Sequence, residues 1–599
     1  MKHNKLIMVG DFETTIYDNQ TETEVWASAL VELYKDNPIV LPSLPDTFYY
    51  LLSLNRNVTI YYHNLKFDGS FWLDYLYRHQ NFKNAFDYTT NTFKEDKDMN
   101  NNEVKYIISD FGEWYTIKFK VNGHIIELRD SLKLIRMSVE QIGKKFNTKH
   151  KKTKIEYIGY RKAGQPIPPH EIEYIKNDVL VVKEALEIFY NQNHKNLTIG
   201  SCCMKEFKQS MVFMDFDAYF PNLDYEIDGI NVDWFVRQTY KGGWCYVKEG
   251  VEKKLWRNGS TYDNNSLYPS RQLTEYFPTG KPQYFKGKPP FKKNKYTFLH
   301  FKAKFFLKRD YLPTILVKSG LRGGYSHYAK NSLPSSLPSN NFKVGDFDFD
   351  DHMELYMTQH DFDLFKKHYE IIDIEFFDYL EFGVTRGSAL FGPYLEKYKK
   401  IKENSTGGTR EVAKLFSNNL GGKFGTSPNA SFKICSLNED KVSFETIKAF
   451  KDSVYCPVAS VMTATGRYLT ITSAQKNYKH FLYSDTDSIH LSTRNPVGIE
   501  IHPSKYGAWK CESEWDLGWF VRQKTYIEIT NGETNFYDVK CAGMPEICKK
   551  SLIQDFVEGK KTIFDFKEGL QIFGKLMTKR IKGGVILYPD WFTLKKRKG

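Results

Sequence analysis

Asp11 and Glu13 in DFETT stand two apart behind the apolar run Leu6 to Val9, so both carboxylates point to one face if the strand continues through them. Asp68 in HNLKFDG falls at a strand-to-helix turn, and Asp178 in YIKND falls in a helix with Tyr174 one turn earlier on the same face. A lone DxE is usually structural, and Asp68 taken alone reads equally well as a helix N-cap. Together, four carboxylates at the ends of elements repel one another unless cations share them, and oxygen-only donor sets select Mg²⁺ or Mn²⁺. Paired ions of this kind generate hydroxide and brace the leaving oxygen of an in-line phosphodiester cleavage. The Tyr174 hydroxyl is placed to orient the water.

A second acidic set lies downstream. TYDNNSLYPS puts Asp263 at the end of a strand, and FLYSDTDSIHL puts Asp485 and Asp487 on a tight turn between apolar arms, which reads as a hairpin. Asp in a turn is ordinarily turn chemistry, but with Asp263 these residues offer the carboxylates that hold two divalent ions beside a nucleoside triphosphate. One ion would activate a 3′-hydroxyl and the other would neutralise the leaving pyrophosphate. In TREVAKLFSNNLGGKF, Arg410, Lys414 and Asn418 fall at i, i+4 and i+8, a polar stripe opposite Val412, Leu415 and Phe416. A solvated face would explain the stripe alone. Beside the acids, two cations aimed at a triphosphate explain it better.

The elements that must position these groups divide the chain. Its 599 residues are about four times the ~150-residue prior for one domain, so several cores with a cleft between them are expected. Residues 1–198 alternate strands and helices, with strands into Asp11 and over Val58 to His63 and a helix over about His170 to Tyr190. The polar stretch NQNHKNLTIGS, 191–201, reads as a linker. Beyond it come strands with Gly/Pro punctuation, a helix over about 409–420 and two basic, loop-rich insertions at 275–389 and 425–456. The tail ends in LKKRKG. Lys and Arg number 85 against 72 Asp and Glu, a net charge of +13 with a pI near 8.9, which suits an extended polyanion as partner. Aromatic residues make up 16%, enough to fill large cores and leave rings for stacking on bases. The eight scattered cysteines include no CxxC pair, so neither a disulfide frame nor a zinc ribbon is indicated and a reducing compartment fits. The run Leu6 to Val9 is too short for a signal segment, no apolar stretch approaches ~18 residues, and mean hydropathy is −0.52, so a soluble protein without a membrane span is expected.

In this order, DFETT, HNLKFDG, YIKND, YKGG, DNNSLYP, KLFSNNLGGKF, YSDTDSIH and QKTY resemble the protein-primed family B DNA polymerases of the phage phi-29 type. The resemblance covers nearly the whole chain, and YYHNLKFDGS, TDSIHLS and VKCAGM add local matches. It implies an α/β and α+β multidomain fold: an RNase H-like 3′–5′ exonuclease domain (1–198) followed by a right-hand polymerase. The palm would span 199–274 and 457–540, the fingers 390–424, the two terminal-protein-region insertions 275–389 and 425–456, and the thumb and tail 541–599. Residue by residue, Asp11, Glu13, Asp68 and Asp178 would hold the exonuclease metals with Tyr174 assisting. Asn64, Phe67, Ser131 and Leu132 would grip the frayed primer end, with Lys152 a further exonuclease contact.

In the polymerase site Asp263 and Asp487 would bind metal and Asp485 would support them. Tyr268 would pack under the sugar, Lys402, Arg410 and Lys414 would face the triphosphate, and Asn418 the nascent pair. Tyr240, Gly242 and Gly243 would bind template, Lys524, Thr525 and Tyr526 the primer strand, with Lys524 and Tyr526 sharing a strand face, and Lys540 would contact DNA. Two Mg²⁺ or Mn²⁺ per active site are implied. So are primer–template and single-stranded DNA, dNTPs and a priming terminal protein as partners of a monomer in the cytoplasm of a bacterial host of a phage. One position departs from the pattern. The fingers helix of the family reads Asn-Ser-x-Tyr-Gly, whereas here Asn418, Asn419 and Leu420 are followed by Gly421 and Gly422. That predicts extra room beside the incoming base and a helix ended early by the glycine pair. The competing readings are a nuclease whose C-terminal part clamps DNA and a non-catalytic replication scaffold; primer extension with dNTPs separates all three.

Overall fold

The computed structural model describes residues 5–17, 19–153, 159–317, 327–333, 351–437, 442–533 and 535–596. Parts of both expected insertions (318–326, 334–350 and 438–441) and the last three residues of the basic tail lie outside these. Among the described residues no helix is long and apolar enough to cross a membrane.

The N-terminal body is built on an eight-stranded sheet. Its strands are β1 (Leu6–Thr14), β2 (Val25–Glu32), β3 (Ile39–Leu41), β4 (Val58–Tyr62), β5 (Lys83–Asn84), β6 (Glu103–Ile108), β7 (Trp114–Val121) and β8 (His124–Asp130), in the order β3-β2-β1-β4-β8-β7-β6-β5. β4 runs parallel to both β1 and β8 at the centre, and every residue of VTIYY is buried, as a parallel strand covered on both faces requires. Helix α1 (Leu65–Arg78) follows β4 directly and packs on one face; α2 (Pro169–Asn191) lies on the other, against β1 and β2. The helix expected over His170 to Tyr190 is α2. The expected linker at 191–201 is shorter, because Thr198 N-caps a new helix, α3 (Ile199–Ser210), with a reciprocal capping box to Ser201.

The C-terminal body centres on a seven-stranded antiparallel sheet. In chain order its parts begin with α4 (Val232–Thr239), β9 (Cys245–Val247), β10 (Leu255–Asn264) and α5 (Leu267–Thr274). A four-stranded sheet follows, of β11 (Tyr276–Lys286), β12 (Lys295–Leu307), β13 (Met353–Thr358) and β14 (Tyr369–Arg386), with α6 (Gln359–His368) packed on it. Helices α7 (Gly387–Asn404) and α8 (Gly407–Phe424) then form an antiparallel pair. The hairpin β15 (Asn429–Leu437) and β16 (Val442–Phe450) leads to α9 (Cys456–Lys476). The chain returns to the large sheet through β17 (Phe481–Asp485), β18 (Ser488–Leu491), β19 (Trp509–Arg522), β20 (Thr525–Thr530) and β21 (Phe536–Cys541), giving the order β9-β17-β18-β10-β19-β20-β21. Helix α10 (Glu546–Val557) and the hairpin β22 (Gln571–Ile581) and β23 (Gly584–Thr593) complete it.

One apolar core joins the two bodies, running from Val179 and Val182 of α2 through Phe207 of α3 to Phe416 of α8 and Met462 of α9. The Gly421–Gly422 pair does not end α8, which continues to Phe424 and is capped at Gly425. Packing against α9 and α3 on both sides outweighs the weak helix propensity of two glycines.

Two candidate active sites

The first site opens at the carboxyl end of β1. Strand alternation turns Asp11 and Glu13 to one face, and their cross-strand partners on β2 are Ala29 and Ala27, whose small side chains leave the carboxylates room. Between β4 and α1 the chain turns through Asn64 in the left-handed conformation (φ 78°). Asn64 is the N-cap, so Asp68 is not; it sits in the first helical turn, 2% exposed, directed at β1. α2 brings Tyr174 and Asp178. These residues line a cavity of about 260 Å³ with His63, Asn64, Phe67, Lys152 and Leu587.

Burial pushes the Asp11 carboxyl up to about 7, helped by the charge of Asp178 and opposed by Lys152. Glu13 and Asp68 are held well above the ordinary carboxylate range, chiefly by burial and then by Asp11. Burial also raises Asp178, although Lys152 pairs with it. One oxygen each of Asp68 and Asp178 is buried with no hydrogen-bond partner. Crowded carboxylates with orphaned oxygens suit divalent cations. Among the described residues no three such side chains stand together as a ready-made metal cage.

Lys152 Nζ donates to the Tyr174 hydroxyl at 2.9 Å. His63 was not singled out from the sequence. Its Nε2–H donates to the Met137 carbonyl at 2.7 Å, which leaves Nδ1 to accept from Ser131 Oγ at 2.9 Å. Ser131 is 0% exposed and so stands behind the cavity wall, supporting His63; neither it nor Leu132, the two residues expected to grip the primer end, lines the cavity. Leu587 also went unread, since nothing near it in sequence marks it.

The second site is a cavity of about 860 Å³ between the large sheet and helices α7 and α8. Asp263 at the end of β10 stands beside the β17–β18 turn that carries Asp487, with Asp263 paired in register with Ser488, the residue after it. Thr486 holds the turn at φ 63°, and Asn264 N–H donates to the Asp487 carbonyl at 2.7 Å. Burial, then Asp487, pushes Asp263 up to about 7; burial also raises Asp487. Opposite them stand Lys402, Arg410, Lys414 and Asn418, all in the cavity wall. Burial lowers the Lys402 pKa and the charges of Arg410 and Lys414 lower it further, against a smaller opposing pull from Glu403. Tyr268 lies in the same wall, its ring close enough to α9 that a Cβ on Gly466 would sit 3.2 Å from it. Lys399, Glu403, Tyr506, Lys510 and Glu512 also line the wall and were not anticipated.

Other expected residues fall around this cavity. Asp485 does not line it; both its oxygens accept from Lys524 Nζ at 2.7 Å. Lys524 lies in the turn before β20 (φ 58°), not on a strand face shared with Tyr526, because the tight β19–β20 turn needs a left-handed residue there. Thr525 is 1% exposed, so its side chain is closed off from a DNA strand. Tyr526 packs among Tyr483, His490 and Phe520. Lys540 pairs with Asp538 on the exposed edge strand β21. Tyr240 packs on Gly425, and a Cβ on Gly243 would lie 2.5 Å from Thr486 Oγ1, so the YKGG loop presses on the turn that carries Asp487. Arg467, buried in α9 and unread in the sequence, donates to the carbonyls of Lys241 and Gly242 at 2.8 and 2.7 Å and forks onto Asp361. The room expected beside Gly421 is taken: a Cβ there would stand 2.2 Å from Met462 Sδ.

Comparison with known proteins places these two sites in a family. The profile described as DNA polymerase type B, organellar and viral, matches residues 51–168 and 158–505. The DNA polymerase of Bacillus phage phi29 is 32% identical over 623 residues, covering 99% of this chain and 100% of its own. The solved structures of phi29 DNA polymerase complexed with single-stranded DNA, and with primer-template DNA and incoming nucleotide substrates, each superpose with a TM-score of 0.84, at 30% and 31% identity, over 99% of this chain and 100% of theirs. With this family's multidomain polymerase fold, and with the dependence on divalent metal that the family carries, the chain is a DNA-directed DNA polymerase belonging to the type B family of the phi29 type.

Proposed function

We propose that the chain copies a linear phage genome inside a bacterial host, joining nucleotides at the Asp263–Asp487 site and removing mispaired 3′ ends at the Asp11–Glu13–Asp68–Asp178 site. The observation that carries this reading is that the two carboxylate cavities share no residue and stand on different sheets. In this reading residues 1–198 are the exonuclease domain, 199–274 and 457–540 the palm, 390–424 the fingers, 275–389 and 425–456 the insertions, and 541–599 the thumb and tail.

At the synthetic site, two Mg²⁺ or Mn²⁺ held by Asp263 and Asp487 would lower the pKa of the primer hydroxyl and neutralise charge on the leaving pyrophosphate. Lys402, Arg410 and Lys414 would receive the triphosphate, where preorganised cations favour the charge that develops as the bond breaks. Tyr268, packed toward α9, cannot retreat from a 2′-hydroxyl. Lys524 holds Asp485 away from the cavity and so keeps the turn under Asp487 in place. At the degradative site the four carboxylates would hold a second ion pair, and Tyr174, fixed by Lys152, would orient the attacking water.

The phi29 structures in complex with single-stranded DNA and with primer-template and nucleotides support both substrates for this chain. The 275–389 segment is longer than a palm-to-fingers connection needs and would dock a terminal protein whose hydroxyl replaces the primer end. The working unit would be a monomer. Asp487→Ala should abolish extension of a labelled primer while single-stranded DNA is still digested; Asp11→Ala with Asp68→Ala should do the reverse. Equal loss of both activities in either variant would show one shared site and overturn the proposal.

A further inference from the structure

His490, three residues after Asp487, and Glu528, two after Tyr526, are 1% and 4% exposed and have no part in the two-site chemistry above. The strands that carry them, β18 and β20, are separated in the large sheet by β10 and β19, yet the two side chains meet across its face. His490 Nδ1–H donates to Glu528 Oε1 at 2.6 Å, and the same oxygen accepts from Thr261 Oγ1 at 2.8 Å. Thr261 Oγ1 in turn accepts from the indole Nε1–H of Trp515 on β19 at 3.3 Å, and the other Glu528 oxygen stands 3.5 Å from Ser513 Oγ. Side chains from four strands thus converge on one buried carboxyl group. Burying such a group is costly unless its hydrogen bonds are made, and here they come from side chains and not from the ladder.

The cluster lies one step of the pleat from the acids of the synthetic site. Thr261 faces His490 in register as Asp263 faces Ser488, and strand alternation puts all four on one side of the sheet. His490 Nε2 stands 3.5 Å from Ser488 Oγ, and Asp487 is the next residue toward the turn. The His490 ring also packs against Tyr526, 4.9 Å between centroids, and against Tyr483 at 5.0 Å, whose hydroxyl accepts from the Lys524 N–H at 2.9 Å. Ladder hydrogen bonds between β10 and β18 fix which residues face each other but leave the twist between the two strands free to vary. An acceptor on a further strand that bonds one side chain of each removes that freedom next to Asp263 and Asp487.

We propose that Glu528 is a positioning residue for nucleotide transfer, setting through His490 and Thr261 the spacing of Asp263 and Asp487. The inference rests on the Asp263–Asp487 reading above and adds to it a residue that acts from behind the acids. The test uses the full-length protein with Glu528→Leu, which keeps the bulk and removes the acceptor, and with Glu528→Gln, whose amide oxygen still accepts both bonds. In Glu528→Leu the rate of single-turnover addition at saturating dNTP should fall about 10²-fold, the size of a shift of about 1 Å at the reacting centre. The KM for dNTPs, the affinity for primer–template and the digestion of single-stranded DNA should stay those of the parent. Glu528→Gln should regain all but about threefold, since neutral hydrogen bonds hold the same geometry less strongly. With Asp11→Ala and Asp68→Ala removing the other ion site, Mn²⁺ binding to the primer–template complex should weaken about tenfold in Glu528→Leu, as loss of a group behind metal ligands does, and Glu528→Gln should restore it. A merely structural carboxyl group would lower the melting temperature with the addition rate unchanged, or depress addition and digestion together. Either result would overturn the proposal, as would a Gln variant as slow as the Leu variant. If Glu528→Leu does not fold, Thr261→Val, which removes one of the two donors, decides: the same pattern at smaller size supports the proposal and a parent-like rate overturns it. Should Asp487→Ala still extend primers, the site reading fails and the proposal with it, whereas an inert Asp487→Ala beside a fully active Glu528→Leu overturns the proposal alone.

Discussion

Gly421 shows how a single missing side chain is compensated. A tyrosine in its place would meet Met462 Sδ and Cε, since even a Cβ comes within 2.2 and 2.4 Å of them. Methionine fills irregular space well because it is unbranched and polarisable. Gly421→Tyr is therefore expected to overpack the α8–α9 contact, costing about 1–3 kcal/mol, and to raise the KM for dNTPs. Adding Met462→Ala should restore both stability and KM, because the ring then has somewhere to lie. Thermal unfolding and steady-state extension on the single and double variants check this; a single variant as stable and active as the parent would show that the methionine moves aside freely.

At the scale of elements, the β17–β18 turn is positioned by a loop from another part of the chain. The Gly243 backbone packs against Thr486, and Arg467 holds the loop from behind through the carbonyls of Lys241 and Gly242. Gly243→Ala should push Thr486 and move Asp487. A shift of about 1 Å at a reacting centre can cost about 10²-fold, and that is the loss expected in kcat for extension, with digestion of single-stranded DNA unchanged. Because Thr486 has φ 63°, Thr486→Gly is tolerated by the turn and removes the obstructing side chain. The double variant should recover most of the lost rate in single-turnover assays.

The hairpin β15–β16 makes a different connection. Cys435 and Val442 belong to the core of the N-terminal sheet, and Phe432 packs on Phe86 and Phe93. Replacing 429–450 by a short Gly-Ser link should thus shorten products and weaken strand displacement more than single-nucleotide addition. It should also lower the melting temperature of the N-terminal body, because apolar surface on β6 is uncovered. Product lengths on a primed circle and a melting curve measure the two effects separately.

Over the whole molecule, stability at low pH depends on buried carboxylates held by basic neighbours. Burial pushes Glu127 up, but the charges of Arg129, Lys5 and Lys118 together outweigh it and bring its carboxyl down to about 2. A carboxyl depressed in the folded state adds stability that is present above its unfolded pKa of about 4.3 and is lost as pH falls through the folded value. The contribution is of the order of 3 kcal/mol and disappears between about pH 4.5 and pH 2. Glu127→Gln should lower the melting temperature at pH 7 and flatten the acid limb in that window. A wild-type-like acid limb in the variant would assign acid unfolding to other groups.

The candidate reacting groups and their order were legible along the chain, because these carboxylates lie in short local patterns. Asp11 and Glu13 share a strand face by alternation, Tyr174 and Asp178 share a helix face by the 3.6-residue period, and Asp485 and Asp487 bracket a turn that a hairpin demands. Strands β1 and β4 and helix α2 were legible for the same reason. Tertiary structure decided what depends on packing between distant segments. Leu587 reaches the N-terminal site from a hairpin more than four hundred residues away in sequence, Arg467 supports a loop it does not adjoin in sequence, and Ser131 is turned inward to hold His63. It also decided that α8 runs through its glycine pair and that Met462 fills the place of the missing ring. Local propensity cannot anticipate these outcomes, since a side chain's role there is set by which neighbour the fold brings against it, and close packing leaves each position one occupant.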